Sequence, residues 1–273
     1  MKRSKSKEKI YQQTISDFGS QWRIHGELRN TYWTSDAMFR DHFGEYFDPA
    51  VLTGKRVCDI GSGSGRILEM ILKYNPKELV GIEPSTNSSV LEKRYSWFAN
   101  VEIINIEGEK FRCQKFDYIF SLGVIHHINR PFEVIENAYD HLKPDGKLLI
   151  WVYGYENNHA YVALQKYFRF ATQKFNDNFL DKISLALTYG VDFYHLVSRG
   201  LFFGKLPLSE YVREVFGPCS RLEKKYIVFD QLNPAYAKYY RLEELEELIE
   251  YFDFKKVEYY HRHQYSWTVI CTK

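Results

Sequence analysis

The sequence is poor in residues that could build a covalent or metal-held framework. Its four cysteines are far apart, and no two have the spacing of a metal site or a redox motif. Isolated cysteines of this kind are typical of proteins in a reducing compartment. We therefore expect a cytoplasmic protein without a bound metal.

Long apolar runs and an excess of one charge are also missing. No uninterrupted apolar run is long enough to cross a bilayer, and the N-terminal segment has no apolar signal core. The 37 Lys and Arg residues nearly balance the 35 Asp and Glu residues, which leaves a net charge of +2. A nucleic-acid binder usually has a clear positive excess, so this balance argues against such a partner. The basic residues at the start of the chain are interpreted as a solvated terminus.

Aromatic residues, by contrast, are abundant. The chain has 22 Tyr, 20 Phe and 5 Trp residues, which together make 17% of its length. An ordinary core needs fewer rings, so we expect some of them to line a pocket or an interface. The chain is also 45% hydrophobic, enough for a packed core in one large domain with a sizeable insertion.

Short apolar runs alternate with helix-like stretches between residues 55 and 153, a pattern typical of a parallel α/β sheet. The strands are predicted at 56–60, 78–82, 101–106, 116–121 and 147–153. Helices are predicted at 66–74, 87–98 and 131–142, and a turn at 143–146. After the aromatic segment 155–226, the pattern predicts a helix at 242–251 and strands at 254–261 and 265–272.

A glycine-rich segment, Asp59-Ile60-Gly61-Ser62-Gly63-Ser64-Gly65, joins the first predicted strand to the first predicted helix. Glycines there permit a tight turn and let a ligand approach the backbone. The dinucleotide fingerprint G-x-G-x-x-G would need a small residue where this chain has Arg66. Glu83 ends the second predicted strand, where a carboxylate can accept hydrogen bonds from both hydroxyls of a ribose. The pattern indicates a cofactor that contains a nucleoside but is not a dinucleotide.

These residues resemble the motifs of class I S-adenosylmethionine-dependent methyltransferases. Residues 116–128 look like the fourth-strand motif of that family, and residues 142–150 look like its turn into the fifth strand. Residues 18–22 and 230–236 are similar to a bacterial subgroup associated with small-molecule or saccharide modification. The resemblance implies a Rossmann-like α/β fold, with helices on both faces of a seven-stranded sheet whose last strand is antiparallel, plus a helical insertion.

The resemblance together with the sequence pattern predicts a division of the chain into three parts. Residues 1–50 would form an N-terminal helical cap, and residues 51–154 and 227–273 the core that binds S-adenosylmethionine. Residues 155–226 would form a helical insertion that covers the acceptor as a lid. The alternative is that the insertion forms a dimer interface, so a homodimer stays open.

In this family the glycine turn passes under the methionine part of the cofactor, and the acid at the position of Glu83 binds the ribose. Either Glu109 or its neighbour Glu107 would bind adenine. The cofactor-binding residues that the resemblance implies are Asp59, Gly61, Ser62, Gly63, Gly65, Glu83, Glu109, Ser121, Leu122 and Val124.

Several residues are predicted to face the acceptor. His126 is the candidate general base, because it follows the fourth strand at the edge where ligands bind in such sheets. The alternative for His126 is a structural hydrogen bond. His127, Asp230 and Tyr236 are predicted to contact the acceptor, although Asp230 and Tyr236 could equally form a surface turn before a helix.

The leading functional prediction is methyl transfer to a small molecule, such as a saccharide or a related metabolite, and nucleic acid is not the expected partner. An RNA or protein methyltransferase is the alternative. Residues 121–124 lack the Asn/Asp-Pro-Pro-aromatic tetrapeptide that amino-methylating enzymes use, which argues against it. An aminopropyl transferase on the same fold, or a non-catalytic protein that binds S-adenosylmethionine, also stays open.

Overall fold

Seven strands form a single mixed sheet in the computed structural model, which describes residues 2–25, 31–159, 161–163, 175–198, 206 and 208–273. The strands are β1 (Arg56–Ile60), β2 (Glu78–Ile82), β3 (Val101–Ile104), β4 (Phe116–Leu122), β5 (Leu142–Tyr153), β6 (Lys256–Arg262) and β7 (Ser266–Thr272). Their order across the sheet is β3-β2-β1-β4-β5-β7-β6.

Helices cover the sheet and its carboxyl-end edge. They are α1 (Lys2–His25), α2 (Asp36–Asp41), α3 (Arg66–Leu72), α4 (Ser88–Tyr95), α5 (Pro131–Asp140), α6 (Asp177–Ser198), α7 (Ser209–Tyr211), α8 (Arg221–Leu232) and α9 (Leu242–Glu250). α7 continues as a π-helical turn, Val212–Phe216. No helix among the described residues is both long and apolar enough to cross a membrane.

The strand directions confirm the predicted fold class. β1 to β5 pair in parallel, whereas β7 runs antiparallel to both of its neighbours, β5 and β6. β1 lies between β2 and β4. The chain runs from β1 through β2 to β3 on one side, and then crosses back to β4 on the other side of β1, so the direction of the connections reverses here. Ligands of open α/β sheets bind in the crevice that such a reversal opens at the carboxyl ends of the strands.

Successive residues of the strands face opposite sides of the sheet, and each side has its own core. Val57 and Leu79 are fully buried in the core under α2 and α3, whereas Cys58 and Val80 are fully buried under α5 and α9. Because both faces are covered, the strands are continuous apolar runs, as the sequence predicted.

The predicted turn at 143–146 is wrong, because these residues belong to β5. The register of β5 against β4 shifts between Phe116 and Tyr118, so a bulge absorbs the extra residues. Asp145 has a φ of 63°, and its N–H donates to the carbonyl of Lys273 at 2.8 Å. A local sequence that is typical of a turn is therefore held in strand pairing by Lys273, the residue after β7.

The part of the predicted insertion that the structure describes has a small core of its own. Leu180 of α6, Phe216 of the π-helical turn and Cys219 are buried together in it, and α8 adds Ile227 from just beyond the predicted end of the insertion. Trp33 packs against this cluster and also against the core under α3. The insertion is thus attached to the sheet domain next to the crevice.

Candidate functional site

Two adjoining cavities lie at the carboxyl ends of β1 and β4. The larger has a volume of about 190 Å³ and the smaller about 90 Å³. Six residues line both cavities: Phe18, Trp22, Gly61, Gly63, Gly123 and Val124. The cavities therefore meet at the glycine turn, in the crevice that the strand order creates.

The glycine turn needs its glycines for both conformation and space. Gly61, Gly63 and Gly65 have φ angles of +76°, +53° and +83°, a region that residues with a Cβ rarely adopt. A Cβ on Gly61 would lie 2.5 Å from a methyl carbon of Val124, and one on Gly65 would lie 2.8 Å from Leu91. The turn is therefore pressed against its surroundings at both ends.

Three residues of or next to α4 hold the carbonyl groups of the turn. Asn87 donates to the carbonyl of Gly63 at 2.5 Å, Arg94 to that of Ser64 at 2.5 Å and Tyr95 to that of Gly65 at 2.9 Å. The sequence analysis missed this support. The spacing of 87, 94 and 95 along one helix face was the only signal for it.

Glu83 is buried at the end of β2 and lines the smaller cavity. Its Oε2 accepts a hydrogen bond from the Gly63 N–H at 2.7 Å, and its Oε1 accepts one from the Ser85 N–H at 2.9 Å. A carboxylate has about four lone-pair sites, so each oxygen can accept a further hydrogen bond. Glu83 thus fixes the turn and can still receive a ligand hydroxyl.

Asp59 is almost completely buried at the end of β1. Its Oδ2 has no hydrogen-bond donor among the described residues. Burial raises the pKa of its carboxyl group to about 7, and the Ser62 hydroxyl and the charge of Arg66 offset only part of that effect. A buried carboxylate oxygen without a donor is unfavourable, so the site fits a ligand that supplies one.

Arg66 begins α3 and lines the larger cavity. Its guanidinium lies 5.1 Å from the centroid of the Trp33 ring and donates to the Trp33 carbonyl at 3.3 Å. Burial lowers the pKa of Arg66 to about 10, and the charges of Asp59 and Asp230 act in the opposite direction. None of the ion pairs among the described residues includes Arg66.

Aromatic side chains from many parts of the chain line the larger cavity. They are Phe18, Trp22, Tyr32, Trp33, Trp151, Tyr153, Tyr161, Tyr211, Tyr226, Tyr239 and Tyr265. Among them, the Tyr153 hydroxyl donates to Oδ2 of Asp230 at 2.8 Å. Gln21 of α1 donates to Oδ1 of the same carboxylate at 2.8 Å.

The geometry does not favour the predicted role of His126. Its side chain is fully buried, its ring centroid lies 4.0 Å from that of Tyr153, and it lines neither cavity. His127 lines the smaller cavity and not the larger one, and its Nδ1 lies 2.8 Å from the carbonyl oxygen of Tyr236. Tyr236 itself lines neither cavity, so of the predicted acceptor contacts only Asp230 faces the larger one.

Some of the remaining predicted cofactor residues line a cavity and others do not. Leu122 and Val124 line the larger cavity, whereas Ser121 is buried away from both cavities. Glu109 accepts a hydrogen bond from the Tyr11 hydroxyl at 3.4 Å and does not line the smaller cavity. Gly108 and Tyr11 line that cavity instead.

Known proteins match the region that carries the glycine turn. Residues 58–148 match the family described as "Methyltransferase domain". The chain is 33% identical over 132 residues to a tRNA U34 carboxymethyltransferase of Methylococcus capsulatus, covering 46% of this chain and 40% of that protein. It is 32% identical over 103 residues to the Campylobacter curvus protein of the same name, covering 36% and 35%.

A solved structure shows the same fold over most of the chain. The 1,6-didemethyltoxoflavin-N1-methyltransferase of Burkholderia thailandensis has a TM-score of 0.51 at 15% identity, covering 95% of this chain and 86% of that one. The motifs, the sheet order and the family match now agree. The chain contains a class I S-adenosylmethionine-dependent methyltransferase domain. The predicted family, enzyme class and cofactor are thereby confirmed.

The predicted small-molecule acceptor is wrong, and so is the exclusion of nucleic acid. The curated relatives of this methyltransferase domain are named as tRNA-modifying proteins. The prediction relied on a net charge near zero, but a balance over the whole chain does not exclude an RNA that is recognised through a few contacts. The chain spans less than half of the length of these curated relatives.

Proposed function

We propose that this methyltransferase domain transfers a methyl group from S-adenosylmethionine to a base of an RNA, with tRNA as the first substrate to test. The observation that carries the proposal is the identity of about a third, over 103 and 132 residues, to two tRNA U34 carboxymethyltransferases. The name of those relatives concerns a carboxymethyl group, so the assay must also identify the group that is transferred.

The cavities fit the cofactor that the family uses. When bound, S-adenosylmethionine supplies a methyl group that its sulfonium already activates. Asp59 would help to hold the ammonium of the methionine part through a water, because its buried Oδ2 needs a donor and the residue lines neither cavity. Arg66 would receive the carboxylate, because a partly buried guanidinium that joins no ion pair among the described residues favours an anion. Glu83 would accept the ribose hydroxyls, which would place the adenosine in the smaller cavity.

The larger cavity supports a planar acceptor. Its rings offer stacking surfaces on which a nucleic-acid base is stabilised whatever its sequence context. A volume of about 190 Å³ suits a single base and not a duplex, so the base would leave its stack to enter. Transfer then depends mainly on holding the acceptor atom in line with the methyl group.

Two parts of the chain would close this cavity over the acceptor. Gln21 and Trp22 of α1 line it from one side, and Tyr211 and Tyr226 of the insertion from the other. We interpret them as a cap and a lid that exclude water. A cytoplasmic location, where tRNA is available and the four cysteines would stay reduced, fits this function.

The test is incorporation of label from [methyl-³H]-S-adenosylmethionine into bulk tRNA, followed by nuclease digestion and mass spectrometry of the nucleosides. We expect nuclease-sensitive label in one nucleoside, whose mass gain separates a methyl from a carboxymethyl group. Glu83→Ala should reduce incorporation at limiting cofactor. Cofactor binding without any label in RNA would refute the proposed acceptor.

A further inference from the structure

A partly buried tyrosine–aspartate pair lies on the acceptor side of the larger cavity. The hydroxyl of Tyr153, at the end of β5, donates to Oδ2 of Asp230 in α8 at 2.8 Å. Both residues line the cavity that also contains the glycine turn and Val124. Their 77-residue separation in the chain makes the contact a product of the fold.

The carboxylate of Asp230 accepts hydrogen bonds from two neutral side chains. Gln21 donates to Oδ1 and Tyr153 donates to Oδ2, each at 2.8 Å. None of the ion pairs within the described part of the chain includes Asp230, and the guanidinium of Arg66 faces the same cavity without joining it in an ion pair. A carboxylate that is hydrogen-bonded but not neutralised by a cation keeps its capacity to accept a proton.

Tyr153 is suited to pass a proton and not to start as a phenolate. Burial, and next the charge of Asp230, raise the pKa of the Tyr153 hydroxyl well above its ordinary value. It therefore keeps its proton at neutral pH and can exchange it only in concert with a neighbour. His126, the base that the sequence suggested, lies behind this ring and outside the cavity.

We propose that Tyr153 and Asp230 form a proton relay that takes the proton of the acceptor during transfer; this inference rests on the proposed function. As the acceptor O–H or N–H atom bonds to the methyl carbon and the carbon–sulfur bond breaks, its proton passes to the Tyr153 oxygen. The proton of Tyr153 passes at the same time to Oδ2 of Asp230. The products are the methylated acceptor, neutral S-adenosylhomocysteine and a protonated Asp230, which later releases its proton to solvent.

The relay has other charged and titratable neighbours that a pH experiment must take into account. Arg66 of α3 and Arg262 of β6 line the same cavity. Tyr211 and Tyr239 lie near enough to Tyr153 to raise its pKa.

The experiment measures the single-turnover rate of the full-length protein with bulk tRNA and labelled S-adenosylmethionine. Tyr153→Phe and Asp230→Asn should each lower the rate by about 10²–10⁴-fold, the range for a lost general base, while the affinity for S-adenosylhomocysteine stays at the wild-type value. For both variants the remaining rate should rise with pH, because hydroxide then replaces the relay.

Tyr74→Phe is the matched control. Tyr74 donates to Asp36 in another tyrosine–aspartate pair of the same domain, and neither residue lines a cavity. We expect this variant to keep the wild-type rate. If wild-type protein methylates tRNA and Tyr153→Phe does so at a similar rate, the relay is overturned while the proposed function stands. If wild-type protein methylates no RNA, the proposed function fails and the relay fails with it.

Discussion

The two walls of the binding crevice are built in different ways. On the cofactor side, the wall is the glycine turn at residues 59–65: Glu83 accepts a hydrogen bond from the Gly63 N–H, and residues of or next to α4 donate to the carbonyls of Gly63, Ser64 and Gly65. On the acceptor side, side chains from α1, β5, α8 and the π-helical turn meet mainly through ring contacts and the hydrogen bonds of Asp230.

This difference explains why comparison with other proteins identifies the cofactor but not the acceptor. A wall made of consecutive residues leaves a contiguous motif, and the family match over residues 58–148 contains it. A wall assembled from distant segments leaves no such motif, since each ring can be replaced by another of similar volume. The cofactor is therefore established while the acceptor is a proposal.

The largest expected effect comes from breaking the cofactor wall at Gly61. Gly61→Ala combines a φ of +76° with a Cβ that would lie 2.5 Å from Val124. We expect about 1–2 kcal/mol lost to backbone strain and a further loss of about 1–3 kcal/mol to overpacking. Urea unfolding should show the lower stability, and calorimetry should show no binding of S-adenosylhomocysteine.

Gly54→Ala is the matched control for that variant. Gly54 has a φ of +69°, but a Cβ there would have no atom within 4 Å. It should therefore lose only the backbone part, about 1–2 kcal/mol, and keep its cofactor affinity. Equal losses in the two variants would mean that contact with Val124 does not matter.

Much of the cofactor wall could be predicted from the sequence because its signals are local. β1 and β2 have the predicted bounds, and the glycine turn and Glu83 lie where the motif placed them. The support from Asn87, Arg94 and Tyr95 could not be predicted, since it depends on how α4 packs against the turn.

The acceptor wall was largely beyond prediction. Asp230 was a candidate, but its partner Tyr153 was recognised only as the last residue of a strand. The choice of His126 followed from its position after the fourth strand, and the fold turns that side chain into the interior. Sequence periodicity places residues on an element, but it does not say which distant side chains will meet.

A second prediction sharpens the comparison by removing the ligand contact of the cofactor wall. Glu83→Ala should weaken binding of S-adenosylhomocysteine by about 1.5–3 kcal/mol, the range for hydrogen bonds to a charged group. The expected loss comes from the ribose hydroxyls and from the released Gly63 N–H. Glu102→Ala, which alters an exposed carboxylate of β3, should bind as the wild type does in the same calorimetric titration.

The smallest expected effect on binding, and the most specific, concerns the pH dependence of Asp59. Its pKa is raised to about 7 mainly by burial, so the free energy of unfolding should decrease as pH rises from about 4 to about 7. Affinity for S-adenosylhomocysteine should change in the opposite direction, increasing about tenfold between about pH 6 and about pH 8, since an ammonium prefers the ionised carboxylate.

Two variants test whether Asp59 causes these changes. Asp59→Asn should remove the pH dependence of both the free energy of unfolding and the affinity. Asp117→Asn should keep them, because Lys143 and the Arg56 N–H help to hold the pKa of Asp117 below its ordinary value. A wild-type affinity that does not change over this range would show that Asp59 does not bind the ammonium, and the cofactor wall would then act through its backbone and Glu83 alone.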